Sequence, residues 1–239
     1  MKKKYGFSAF FILTGGLFIS AADTLAAVSV PEYKNEVNAA VVSNGVTIAR
    51  DAIDVGDLDG DGDLDLVTVS TAGAELFINE GAPHYLLKSK GENDSWSGEN
   101  LTDLAVDRLA FSDVVITDVN KDLRLDVVAS VSGGINAVFI NTGTNNGLPV
   151  FTRVDIGTDK DTTTSLSVAD ANGDGYPDVV VGNIGAPNKL YLNIGVGAEA
   201  DPFKNVAGQN ISIDSENTID IEFIDLNRDN HLDVLEINT

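Results

Sequence analysis

Four short segments of this 239-residue chain place carboxylates at alternate positions. The first runs Asp57-Leu-Asp-Gly-Asp-Gly-Asp-Leu-Asp65 and the second Asp118-Val-Asn-Lys-Asp-Leu-Arg-Leu-Asp126. The third is Asp170-Ala-Asn-Gly-Asp-Gly-Tyr-Pro-Asp178 and the fourth Asp225-Leu-Asn-Arg-Asp-Asn-His-Leu-Asp233. In a tight loop, side chains at the first, third and fifth positions can all point inward. The carbonyl of the seventh residue adds an oxygen, and the ninth carboxylate closes the set. Calcium takes about six to eight such oxygens and no nitrogen or sulfur, so Ca2+ is the expected cofactor.

The first predicted ligand set is Asp57, Asp59, Asp61, the carbonyl of Asp63, and Asp65. The second is Asp118, Asn120, Asp122, the carbonyl of Arg124, and Asp126. The third is Asp170, Asn172, Asp174, the carbonyl of Tyr176, and Asp178; the fourth is Asp225, Asn227, Asp229, the carbonyl of His231, and Asp233. Five carboxylates packed into loop one repel one another unless a cation lies among them. The sixth position needs a sharp bend, which Gly62 and Gly175 supply and Asn230 tolerates. Leu123 does not, so loop two is expected to bind most weakly or not at all. An EF-hand would need a bidentate Glu at the twelfth position and flanking helices. That position holds Thr68, Ala129, Val181 and Glu236, and the flanks read as strands.

The elements around the loops repeat with them. Loop starts lie 61, 52 and 55 residues apart. Apolar residues stand four and two places before each: Ile53 and Val55, Val114 and Ile116, Leu166 and Val168, Ile221 and Phe223. That alternation predicts a half-buried strand entering the loop. After each loop comes an apolar run, such as Leu66-Val67-Thr68-Val69 or Val179-Val180-Val181, suited to a strand covered on both faces. A third strand follows in three copies: Leu76-Phe77-Ile78-Asn79, Val138-Phe139-Ile140-Asn141 and Leu190-Tyr191-Leu192-Asn193. Each Asn-x-Gly ending supplies residues that tolerate positive φ. A weaker fourth strand is placed near Pro83 and Tyr85, Pro149 and Phe151, and Pro202 and Phe203.

The expected fold is therefore all-β: β-propeller-type repeats of four-stranded antiparallel blades, about four in number. The repeats span about 48–107, 108–160, 161–215 and an incomplete 216–239. A partial propeller and a ring closed by residues 28–50 are both open. The loops and the aromatic strands with Asn-x-Gly resemble FG-GAP/VCBS repeats, the units of integrin-α-like propellers and many bacterial surface proteins. The resemblance implies that fold and calcium in the four loops; it does not imply a particular partner.

Lys2, Lys3 and Lys4, an apolar run from Phe7 to Ala22, and small residues at Ala22, Ala26 and Ala27 lay out a secretory signal peptide over 1–27. The repeat domain then occupies 28–239. The run falls short of the roughly 20 apolar residues of a spanning helix, so no membrane span is expected in the mature chain. The expected location is secreted, periplasmic or cell-surface. With 15 Lys and Arg against 37 Asp and Glu, the surface repels phosphate backbones, and no nucleic acid is expected as a partner. Absence of Cys excludes disulfides, thiolate metal sites and cysteine nucleophiles.

No catalytic or organic-cofactor residues are expected, and the chain reads as no enzyme. His84 and His231 are its two histidines, and it has no nucleophile elbow, phosphate loop or His-based zinc motif. The expected role is a non-catalytic adhesion or ligand-binding module whose partner is a protein or glycan. Trp96, in the long insert between the first two repeats, either stacks on such a partner or caps a blade edge. The alternatives are an accessory propeller of a larger secreted enzyme and a structural envelope component.

Overall fold

A computed structural model describes residues 52–71, 73–79, 87–89, 109–195, 201–212, 215 and 217–239. The expected signal segment, residues 28–50, His84 and Trp96 lie outside the described residues, as do Pro83 and Tyr85. Every regular element described is a strand. The first sheet contains β1 (Ala52–Gly56), β2 (Asp65–Ser70), β3 (Gly73–Asn79) and β4 (Leu87–Ser89). The second contains β5 (Phe111–Thr117), β6 (Asp126–Val131), β7 (Ala137–Asn145) and β8 (Leu148–Asp155). The third contains β9 (Thr162–Ala169), β10 (Asp178–Ile184), β11 (Lys189–Tyr191) and β12 (Gln209–Asn210). A two-stranded sheet of β13 (Thr218–Ile224) and β14 (Asp233–Asn238) follows. Strands pair antiparallel in chain order, the meander of a propeller-type blade.

Each acidic loop joins the first and second strands of its blade. Its ninth residue opens the second strand and faces the last residue of the first: Gly56 opposite Asp65, Thr117 opposite Asp126, Ala169 opposite Asp178, Ile224 opposite Asp233. The loop therefore hangs from a fixed register.

The core is divided into clusters between successive blades. Val127, Ala129 and Val131 face the first blade, packing with Val67, Val69 and Leu76. Val128, on the other face of β6, packs with Val138, Leu166 and Val179 between the second and third blades. Val180 turns the opposite way from Val179 and Val181, meeting Ile221 and Phe223. Alternating side chains of one strand thus feed two clusters, which is why the second strands are apolar on both faces. Each fully buried Val contributes roughly 1.5–3 kcal/mol. In β14 the corresponding residues, Val234 and Leu235, remain 37% and 45% exposed.

First strands are stitched across the same interfaces by polar groups. Ile116 donates its N–H to Asp54 Oδ2 (2.6 Å), Leu166 to Asp113 Oδ2 (2.9 Å) and Phe223 to Ser167 Oγ (3.2 Å). Close approach also demands Gly56, where a Cβ would meet Ile116 Cγ2 at 2.7 Å and Leu125 Cδ1 at 2.8 Å.

The fourth strand of the third blade departs from the sequence expectation. Pro202 and Phe203 sit in a turn, and pairing with β11 falls to Gln209 and Asn210. Phe203 is 1% exposed because its ring fills the cluster between the second and third blades instead of lying along a strand. In the second blade the expectation holds, with Pro149 and Phe151 inside β8.

Candidate metal centre

All four loops trace one backbone path. The fourth position is left-handed in every copy: Gly60 (φ 81), Lys121 (φ 60), Gly173 (φ 78) and Arg228 (φ 65). So is the sixth: Gly62 (φ 95), Leu123 (φ 71), Gly175 (φ 91) and Asn230 (φ 66). Loop two accepts Leu123 in this conformation with its side chain 94% exposed. The strain, about 1–2 kcal/mol for such a residue, is carried without altering the loop.

Backbone N–H groups hold the acidic side chains in a repeating pattern. The first carboxylate accepts the sixth N–H: Gly62 to Asp57 (3.0 Å), Leu123 to Asp118 (2.9 Å), Gly175 to Asp170 (2.8 Å), Asn230 to Asp225 (3.1 Å). The third side chain accepts the fifth N–H, through Asp59, Asn120, Asn172 and Asn227. The fifth accepts the seventh N–H, from Asp63, Arg124, Tyr176 and His231, each at 2.8–2.9 Å. These short-range bonds compete with any helix or ladder and fix the turn.

The ninth residue is different. Asp65, Asp126 and Asp178 are each 0% exposed. One oxygen accepts the N–H of the second loop residue: Leu58 to Asp65 (2.8 Å), Val119 to Asp126 (2.9 Å), Ala171 to Asp178 (2.9 Å). The other accepts the N–H of the Asn that follows the third strand's aromatic residue: Asn79 (2.9 Å), Asn141 (2.8 Å) and Asn193 (2.8 Å). Asp233 receives Leu226 N–H at 3.0 Å. Burial outweighs the opposing backbone bonds and pushes Asp126 up to about 7 and Asp65 up to about 6; it raises Asp178 as well. The neighbouring loop carboxylates push the same way. A cation in the loop opposes both effects.

Charge is balanced unequally among the copies. In loop one, carboxylate oxygens of Asp57, Asp59 and Asp61 lie within 4.8 Å of one another. Burial, then the charges of Asp61 and Asp57, raise Asp59. In loops two, three and four the third residue is Asn, whose amide donates to the fifth carboxylate: Asn120 to Asp122 (3.1 Å), Asn172 to Asp174 (2.8 Å), Asn227 to Asp229 (3.0 Å). Loop two also has a guanidinium: Arg124 Nη2 pairs with Asp122, and its Nε donates to the Asn141 carbonyl at 2.8 Å. Lys121 reaches loop three, 4.8 Å from the centroid of the Tyr176 ring. Asp174 is held below the usual carboxylate range by the Tyr176 N–H, then Asn172, with a smaller pull from Lys121.

The Asn of each Asn-x-Gly carries a role its sequence context conceals. Asn79, Asn141 and Asn193 lie outside the left-handed region; Gly143 (φ 119) and Gly195 (φ 65) occupy it. The Asn amide instead crosses to the preceding blade. Asn141 Nδ2 donates to Leu58 O (2.7 Å) and Asn193 Nδ2 to Val119 O (2.9 Å). At the other end of the third strands, Asn136 Nδ2 reaches Thr163 Oγ1 (3.1 Å) and Asn188 Nδ2 reaches Thr218 Oγ1 (2.9 Å) in the following blade.

A family profile describing an FG-GAP-like repeat matches residues 118–181 and 170–236. The chain is an FG-GAP repeat protein. Each match begins at an acidic loop, at Asp118 and at Asp170, and runs past the next one. No curated protein matches the chain.

The FG-GAP loops offer a donor set that fits calcium. Their side chains carry oxygen donors, with the amide nitrogens of Asn120, Asn172 and Asn227 turned on the fifth carboxylate in loops two, three and four. A carboxylate has about four acceptor sites, so two backbone bonds leave the ninth Asp room for a metal. Among the described residues, three acidic side chains close enough to share a metal ion occur in loop one alone, at Asp57, Asp59 and Asp61. Sequence reading missed the left-handed fourth residue, the arginine of loop two as an internal cation, and the interblade amides. The recurrence of Asn five residues apart, Asn136 with Asn141 and Asn188 with Asn193, was the available signal for the last.

Proposed function

We propose that the protein is an exported, non-catalytic binding module whose propeller-type blades are stiffened by calcium in the four acidic loops. The observation that carries this reading is the convergence of the Asp57, Asp59 and Asp61 carboxylates within 4.8 Å of one another. Like charges held that close cost several kcal/mol at the effective dielectric of a protein surface, and a divalent cation turns the cost into a gain. Calcium supplies electrostatic cross-linking here. The first, third, fifth and ninth side chains would hold it, with the seventh carbonyl. Export is supported by the basic, apolar and small-residue order of residues 1–27. Among the described residues no helix is long and apolar enough to cross a membrane. Rigid blades with variable connections suit adhesion to a protein or glycan, and Trp96 is the first residue to test in that contact.

The experiment is metal counting on the purified mature chain, with thermal melting in calcium and in EGTA. Extracellular calcium sites commonly have dissociation constants of about 10⁻⁴–10⁻³ M, so millimolar calcium is the right range. At tenfold excess each filled loop adds about 1.4 kcal/mol. Identical melting with and without chelator, and no bound metal, overturns the reading.

A further inference from the structure

The buried bonds around the loops join into one line. Leu58 donates its N–H to Asp65 and accepts the Asn141 amide on its carbonyl. Asn141 in turn donates its own N–H to Asp126. Asp126 accepts Val119 N–H, and Val119 O accepts the Asn193 amide. Asn193 then donates its N–H to Asp178, which also accepts Ala171 N–H. Leu58, Asp65, Val119, Asp126, Asn141, Asp178 and Asn193 are all at most 3% exposed, so water does not replace a lost partner cheaply. In loops one and two the second residue is thus gripped on both sides, by its own ninth Asp and by the next blade.

We infer that Asn141 and Asn193 are positioning residues for the loop of the preceding blade, so that loops one, two and three are set in series. The interface cluster alone would align the blades. It would not fix the Leu58–Asp59 or Val119–Asn120 peptide, which leads into the third position of each predicted set. The Asn amide does, by holding the carbonyl of that peptide. Each amide also holds the eighth carbonyl of its own loop, Asn141 at Leu125 O (3.2 Å) and Asn193 at Pro177 O (3.1 Å); across the interface Asn141 acts on loop one and Asn193 on loop two. Loop three has Ala171 in the equivalent place.

Amide hydrogen exchange tests this directly on the full mature chain, with no metal needed. Asn141→Ala is expected to speed exchange at Leu58, Gly60 and Gly62 by about three- to tenfold. Gly173 and Gly175 in loop three are expected to keep their rates. Asn193→Ala should instead speed Val119 and Leu123 and spare loop one. Asn141→Ser, which keeps a short acceptor but cannot reach across, serves if the alanine variant folds poorly. Equal loosening of every loop, or no change in the preceding one, overturns the inference.

A second arm rests on the proposed calcium sites. The Gly62 amide, bonded to Asp57, reports calcium entering loop one. Asn141→Ala should raise its calcium midpoint by about the same factor, leaving that of Gly175 unchanged. If no loop amide of the unmodified protein responds to calcium, the proposed function fails, while the exchange pattern still decides whether Asn141 positions loop one.

Discussion

In loop one three carboxylates crowd together with Gly60 and Gly62 at the bends; in loop two Lys121 and Leu123 take those bends and Arg124 pairs with Asp122. The backbone paths coincide and the charges do not. Loop one leaves its repulsion to be met from outside. Loop two answers part of its own with an amide from Asn120 and a guanidinium from Arg124. The comparison separates two things that an acidic motif mixes: a frame of backbone bonds, common to both loops, and a demand for positive charge, which differs. It also shows that glycine is not what makes the turn. The ninth Asp and the first Asp make it, and glycine lowers its strain.

The largest test addresses the common frame. Asp65→Ala and Asp126→Ala are each expected to cost about 2–5 kcal/mol in EGTA, since each strands two N–H groups, both buried at Asp126 and one part-buried at Asp65, at about 1–3 kcal/mol apiece. Urea denaturation measures this. A small loss in either would show that the two loops are not framed alike.

Acidity probes the same pair. In the metal-free protein Asp126 keeps its proton up to about 7 and Asp65 up to about 6, against 3.8 as the ordinary value. The folded state therefore binds more protons than the unfolded one between about pH 4 and 7. Melting temperature in EGTA should fall as pH rises through that window, with loop two extending its upper edge. Calcium should flatten the fall. A melting temperature in EGTA that rises steadily across the window contradicts the burial of these carboxylates.

Two smaller changes convert each loop towards the other. Leu123→Gly removes left-handed strain from an exposed side chain and should stabilise the fold by about 1 kcal/mol, the relief exceeding the added chain entropy. Asp59→Asn gives loop one the amide that the other loops possess. It should gain no more than about 0.5 kcal/mol in EGTA and weaken calcium binding at that loop, read by isothermal titration. A loss of stability in EGTA would mean that the crowding of loop one is not a cost.

Much of this architecture was legible locally. Apolar residues at alternating positions announced β1, β5, β9 and β13, and the doubly apolar runs announced β6 and β10, each enclosed by blades on either side, whereas Val234 and Leu235 of β14 stay partly exposed. The nine-residue spacing of the acidic loops and the sharp bend at their sixth position follow from residues within a few positions of one another. The fourth strand of the third blade was misplaced because Phe203 was free either to lie along a strand or to fill a cluster, and only packing chose.

What the chain determined by itself was set at short range: side-chain period, turn chemistry and the count of oxygens in each loop. Tertiary structure decided where Asn141 and Asn193 reach, to carbonyls 83 and 74 residues away. It decided which face of β6 belongs to which cluster, and how strongly Asp126 holds its proton. The physical reason is one of range. Backbone sterics and local hydrogen bonds act along a few residues, whereas desolvation and interblade bonds exist only once blade is stacked on blade.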